Sequence, residues 1–419
     1  MSDLPLDRDV FQVQCASCHA TEMLSPDRVT CSRCGGTVLV ARYDLAAIDP
    51  EAWKQQLGQR VTTLWRYREL LPVNDPKNIV SLGAGFTPLI SATRLGMAVG
   101  HPNLMLKDER QGPTGSFKDR QAAVAISVLK EQGVTELVLA STGNVGIAYS
   151  ALAARAGIRL WVFVPAGVPD DKLREIQLYG TNLMRIDDTY DCAKAAAAAF
   201  ARQNGLTLDR GIKSLAGVES MKTLAFEVAE QLDWKAPDWY VQAVSGGMGP
   251  LGVAKGFAEL KELGLIEKVP ALGLVQPQGC APIVEGLCEN REQAVPVAHP
   301  ETDILPLATG DPGHAYSLLK QAVDTYGGAG IAIADRQAFA TQRLLAQQEG
   351  ISVEPATATA IAGALGLIQQ GTIAPHETVV VNCSGHTYAV DATVLESADN
   401  AEELPILRRS AVEVAAQTR

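Results

Sequence analysis

The chain has 419 residues, 47% of them hydrophobic and 20% charged, which is too long for one simple core and suits two or three domains. A formal net charge of −11 repels nucleic acid and anionic membrane, so neither is expected as a partner. The opening MSDLPLDRDV lacks a basic stretch followed by an apolar core, and no run is long and apolar enough to span a bilayer, so a cytoplasmic protein is expected.

Four of the eight cysteines fall between positions 15 and 34. Cys15-x-x-Cys18 and Cys31-x-x-Cys34 are separated by twelve residues. Each pair can form a tight turn offering two thiolates, and two such turns supply the tetrahedral sulfur set that Zn²⁺ accepts. Residues 11–42 therefore read as a zinc ribbon, with Cys15, Cys18, Cys31 and Cys34 as ligands. Iron is the less favoured occupant. The segment is too short to hold its shape by apolar burial alone, so the metal is expected to be structural. His19 reads as a bystander.

Residues 43–80 read as a connector with helical pieces at EAWKQQL and TTLWRYRELL. Beyond about residue 80, apolar runs alternate with Ala-rich helical stretches. ELVLAS, RLWVFVPAG, NLMRID, WYVQAVSGG, ALGLVQP and TVVVNCSG are the strand candidates. This alternation predicts an α/β fold with parallel sheets buried on both faces. Ligands of such sheets gather beyond the carboxyl ends of the strands. The last stretch, about 401–419, reads as a short charged helix suited to packing on another subunit.

Four motifs carry the chemistry. In KDERQGPTGSFKDR a glycine-rich turn exposes Lys118 at a helix N-terminus, where the dipole favours a neutral amine able to attack an aldehyde. In LASTGNVG a strand ends at Ser141-Thr142-Gly143-Asn144, whose hydroxyls and N–H groups can hold a carboxylate. Ser245-Gly246-Gly247-Met248-Gly249 lets successive N–H groups converge on a phosphate. Asn382-Cys383-Ser384-Gly385 ends a buried strand with a hydroxyl able to face a ring nitrogen.

In order and spacing, PTGSFKDR, STGN and the final strand ending in Ser-Gly resemble the fold-type II pyridoxal-phosphate (PLP) enzymes, and most closely the threonine synthase family. LGAGFTPL (82–89) and EPATATAIAG (354–363) resemble further segments of it, and the ribbon resembles that of its long form. The resemblance covers almost the whole chain. It implies two parallel-sheet α/β subdomains of the tryptophan synthase β-like kind beside the ribbon. Residues 43–419 would form the catalytic region, with a smaller subdomain at about 120–235 inserted in the larger one. It further implies that Lys118 holds PLP as a Schiff base and relays protons. Asn144 would bond the ring hydroxyl, Ser245, Gly246, Gly247, Met248 and Gly249 the cofactor phosphate, and Ser384 the pyridine nitrogen. Ser141, Thr142 and Thr87 would contact substrate, and the assembly would be a homodimer.

The family's Asn-Ser…Arg grip on substrate phosphate is absent; Gly211, Ile212 and Gly217 stand there. Lys213, Ser214 or Lys222 could replace it, since a lysine serves as a point charge for phosphate. Three functions remain open at this point. One converts the small molecule O-phosphohomoserine and water to threonine and phosphate. The second is a cysteate synthase-like replacement using O-phosphoserine and sulfite, or another fold-type II amino-acid lyase. The third is a non-catalytic PLP-binding regulatory protein.

Overall fold

A computed structural model describes residues 11–25, 28, 30–36, 38–141, 143–211, 214–387 and 406–407. Three short strands come first. β1 (Phe11–Cys15), β2 (Thr21–Glu22) and β3 (Leu39–Tyr43) form an antiparallel sheet in the order β2-β1-β3. Phe11, Val13 and Ala41 turn one face inward, as the period of two along a strand requires. That face is too small to close on itself, and Leu215, from far along the chain, packs against it.

α1 (Pro50–Leu57) begins where Asp49 accepts bonds from the Glu51 and Ala52 N–H groups, with proline in the first turn. The next predicted helical piece forms a 3-10 helix over Leu64–Leu70 instead, with Tyr67 outside helical geometry. Leu64, Trp65, Tyr67 and Leu70 are all buried, so its apolar residues do not share the single stripe that a surface α-helix needs.

β4 (Leu89–Ser91), α2 (Thr93–Ala98) and β5 (Leu104–Asp108) open the larger sheet, and α3 (Lys118–Glu131) carries the chain out to a smaller one. The smaller sheet is laid down by β6 (Glu136–Ala140), α4 (Asn144–Ala156), β7 (Arg159–Pro165), α5 (Asp170–Leu178), β8 (Asn182–Ile186), α6 (Tyr190–Asn204) and β9 (Thr207–Leu208). α7 (Leu215–Gln231) brings the chain back. β10 (Trp239–Ala243), α8 (Met248–Glu262), β11 (Ala271–Pro277), α9 (Pro282–Cys288), α10 (His314–Tyr326), β12 (Gly328–Ile333), α11 (Asp335–Glu349), α12 (Pro355–Gln369) and β13 (Val379–Cys383) then complete the larger sheet.

Its order is β12-β11-β10-β13-β5-β4, parallel throughout except for β4. The smaller sheet runs β14-β8-β7-β6-β9, all parallel, where β14 is Ile406–Leu407. Within the C-terminal stretch expected to be a charged helix, those two residues are strand; the rest lies outside the described residues. All five residues of β13 are buried, as a central parallel strand covered on both faces demands. Each of its three valines contributes about 1.5–3 kcal/mol by burial. Among the described residues no helix is long and apolar enough to cross a membrane.

Candidate active site

The carboxyl ends of β6, β10 and β13 lead into the segments that line one cavity of about 750 Å³. The turn before α3 contributes Phe117 and Lys118 to its lining. The Thr114 N–H and hydroxyl both donate to Asp119 (3.0 and 2.6 Å), which closes the glycine-rich turn onto the first turn of the helix. The turn is then stitched to the end of β13. The Phe117 N–H donates to the Ser384 carbonyl, the His386 N–H to the Gly115 carbonyl, and the Glu354 N–H to the Gly385 carbonyl. Three segments far apart in sequence are thereby held side by side.

Lys118, the first residue of α3, lines the cavity. Burial pushes its amine down from the ordinary lysine value to about 8, against the opposing charges of Glu354 and Asp209. Its Nζ stands 4.2 Å from the centre of the Phe117 ring. Glu354, which the sequence reading left without a role, joins two of the candidate residues. Its Oε2 accepts from Asn144 Nδ2 (2.8 Å) and its Oε1 from the Ser384 hydroxyl (2.9 Å). Gly385 leaves it room, since a Cβ there would lie 2.8 Å from the Glu354 carboxyl carbon. Asn144 Oδ1 accepts in turn from Lys172 Nζ (2.9 Å).

Ser245, Gly246, Gly247, Met248 and Gly249 line the same cavity, at the start of α8. Gly247 has φ +78, a conformation that favours glycine. The first N–H groups of a helix are free to meet an anion. His314, at the start of α10, lines the same cavity, and its Nε2 is buried without a partner among the described residues. A phosphate at this loop with an aldehyde at Lys118 fits the chemistry of these donors.

The substrate candidates fare differently. The Ser141 hydroxyl accepts from the Gly143 and Gly146 N–H groups (3.0 and 2.8 Å), so it is occupied in shaping the turn into α4. Thr142 and Lys213 lie outside the described residues. Thr87 does not line the cavity. It is 4% exposed and bonded to Glu109 and to Arg120 Nη2. Lys222 is buried between Glu219 (2.6 Å) and Glu259 (2.8 Å), remote in role from any phosphate. The Ser214 hydroxyl caps α7.

In the ribbon the four thiols come together, all Sγ atoms lying within 4.8 Å of one another. The Cys15–Cys34 and Cys18–Cys31 separations are both 3.6 Å. A tetrahedron with zinc–sulfur bonds of about 2.3 Å has edges of about 3.8 Å, so the set fits that ion.

A lysine that shares one cavity with a glycine-rich helix N-terminus, at the strand ends of an α/β fold, is the arrangement of a PLP-dependent enzyme. Residues 80–385 match the family described as pyridoxal-phosphate dependent enzyme. Threonine synthase of Methanocaldococcus jannaschii is 34% identical over 374 residues, covering 89% of this chain and 91% of that protein. Threonine synthase of Methanosarcina acetivorans is 33% identical over 388 residues, covering 92% and 94%. The chain belongs to the PLP-dependent enzyme family, as a lyase of the threonine synthase type. Maize serine racemase shares the fold, with a TM-score of 0.65 and 21% identity over 81% of this chain and 97% of that one. So does the processed threonine deaminase isoform 2 of Solanum lycopersicum, at 0.62, 20%, 85% and 95%.

Proposed function

We propose that this chain binds PLP on Lys118 and converts O-phosphohomoserine and water to threonine and phosphate. When bound, the cofactor supplies an electron sink for carbanion charge. The observation that carries the reading is the Lys118 amine, its proton loosened by burial, in a cavity that a glycine loop at a helix N-terminus also lines. In this reading the 245–249 loop and His314 hold the cofactor phosphate. Asn144 and Ser384 exchange their bonds to Glu354 for bonds to the ring. Lys118 moves the protons.

The leaving phosphate would face Lys194 and Arg210, two cations that line the cavity, in place of the family's Asn-Ser…Arg grip. The Cys15, Cys18, Cys31 and Cys34 set would hold one structural zinc. Residues 11–42 would act as the ribbon and 43–419 as the catalytic region, with about 120–235 as its smaller subdomain.

Steady-state assays of the cofactor-loaded chain test the substrate. Phosphate and threonine released from O-phosphohomoserine support the reading. Turnover of O-phosphoserine with sulfite, and none of O-phosphohomoserine, replaces it with the cysteate synthase-like reaction.

A further inference from the structure

β10 leads into the glycine loop, and one of its side chains has no task in the reading above. Gln242, the fourth residue of β10, is 3% exposed and lines the cavity. Its Oε1 accepts from the Tyr240 hydroxyl at 3.2 Å. That bond orients the amide, because a buried hydroxyl proton needs an acceptor and the Nε2 end offers none. Both Nε2 protons are left to give. Nε2 donates to no described residue, yet it is not among the unpartnered atoms sealed from solvent. The small exposed surface of Gln242 therefore includes this donor.

Gly249, in the first turn of α8, shows where the amide lies. A Cβ on Gly249 would stand 2.4 Å from Nε2 and 2.8 Å from Oε1 of Gln242. The amide thus occupies the space that a side chain on the second residue of α8 would take. At this turn the helix is one donor short. Four N–H groups are ordinarily free at a helix start. Here they would belong to Gly247, Met248, Gly249 and Pro250, and proline has none. Nε2 stands beside that turn with protons to spare.

We propose that Gln242 is a cofactor-binding residue whose Nε2 donates to the phosphate of PLP, supplying the donor that Pro250 lacks. The inference rests on the reading that the 245–249 loop holds the cofactor phosphate, and it adds a strand side chain to that loop. Gln242 then helps the site to select a phosphorylated aldehyde over its unphosphorylated form.

The cofactor-free full chain is titrated with PLP and with pyridoxal, which differ by the phosphate, and binding is read from the absorbance of the bound aldehyde. Gln242→Met keeps the reach of the side chain without its donors. It is expected to weaken PLP binding about tenfold or more, as a hydrogen bond to a charged group allows, and to leave pyridoxal binding within about twofold. Circular dichroism reports whether the variant folds. If it does not, Gln242→Glu decides by the same ratio, since it keeps the acceptor for Tyr240 and sets an oxygen against the phosphate. An unchanged ratio of PLP to pyridoxal affinity in the folded variant overturns the proposal. So does an equal loss for both aldehydes, which marks Gln242 as a packing residue only. A wild-type chain that binds PLP no more tightly than pyridoxal overturns the loop reading itself, and the proposal with it.

Discussion

Lys118 owes its reactivity to burial, since the two carboxylates near it pull the other way. With its amine at about 8, the neutral fraction that can attack an aldehyde falls about tenfold for each unit of pH below that value. Capture of PLP by the apo chain should therefore quicken about tenfold between pH 6 and 7 and level off above 8. Stopped-flow absorbance at a fixed PLP concentration measures this, and Lys118→Ala should show neither the phase nor the band. A flat pH profile would mean that the amine is already neutral at pH 6. Lys118 was legible in the sequence because its whole setting is local, a glycine turn running into a helix. Asp209, Tyr149 and Glu354 were not, because they meet their partners only through the fold. Tyr149 and Asp209 are 60 positions apart, and Asn144 and Glu354 are 210 apart. The inward placement of Thr87 was hidden for the same reason, since the sequence does not display the Glu109 and Arg120 bonds that hold it away from the cavity lining.

At the scale of the element, α3 has two tasks. Lys118 faces the cavity, and two positions on Arg120 points into a buried ion network. Its Nε meets Glu109 at 2.7 Å and its Nη1 meets Glu227 at 2.5 Å, while Lys107 binds the other Glu227 oxygen at 2.8 Å. All four side chains are at most 2% exposed. The network ties α3 to β5 and α7, so it fixes the helix that carries the reactive amine. Arg120→Ala would strand Glu109 without its cation and leave Glu227 with only one. Such a break in a buried pair costs about 3–5 kcal/mol. Urea denaturation of the full chain should show a loss of that order. A loss below 1 kcal/mol would mean that water enters the network freely. The strand–helix alternation was readable because buried parallel strands are continuous apolar runs. β12 was passed over: its sequence, GAGIAI, has few of the branched residues that mark strands. It forms because β11 offers it a parallel edge.

Across the whole molecule, the cysteine spacing announced the four-thiol cluster, whereas the docking site of the small sheet that carries it had no sequence signal. The Tyr43 hydroxyl donates to Glu219 on α7 (2.9 Å), and Lys222 Nζ lies 3.9 Å from the centre of the Tyr43 ring. Lys255 on α8 donates to the Ala41 carbonyl (2.9 Å). Leu215, the first residue of α7, packs against Phe11, Val13 and Ala41. The ribbon thus rests on α7 and on α8, whose N-terminus borders the cavity. An apolar face of three small-sheet residues cannot hold three strands together unaided, so a metal held by the cysteine set would supply much of this sheet's folding energy. Stripping the metal with a chelator should unfold the ribbon and expose Tyr43, Leu215 and the Glu219–Lys222 pair to water. The melting temperature of the full chain should then fall by several degrees, and metal analysis should give one ion per chain before treatment and none after. The double substitution Cys15→Ser, Cys31→Ser should reproduce both changes without a chelator. A melting curve that stays put while the metal leaves would show that docking on α7 and α8 alone is enough to fold the ribbon.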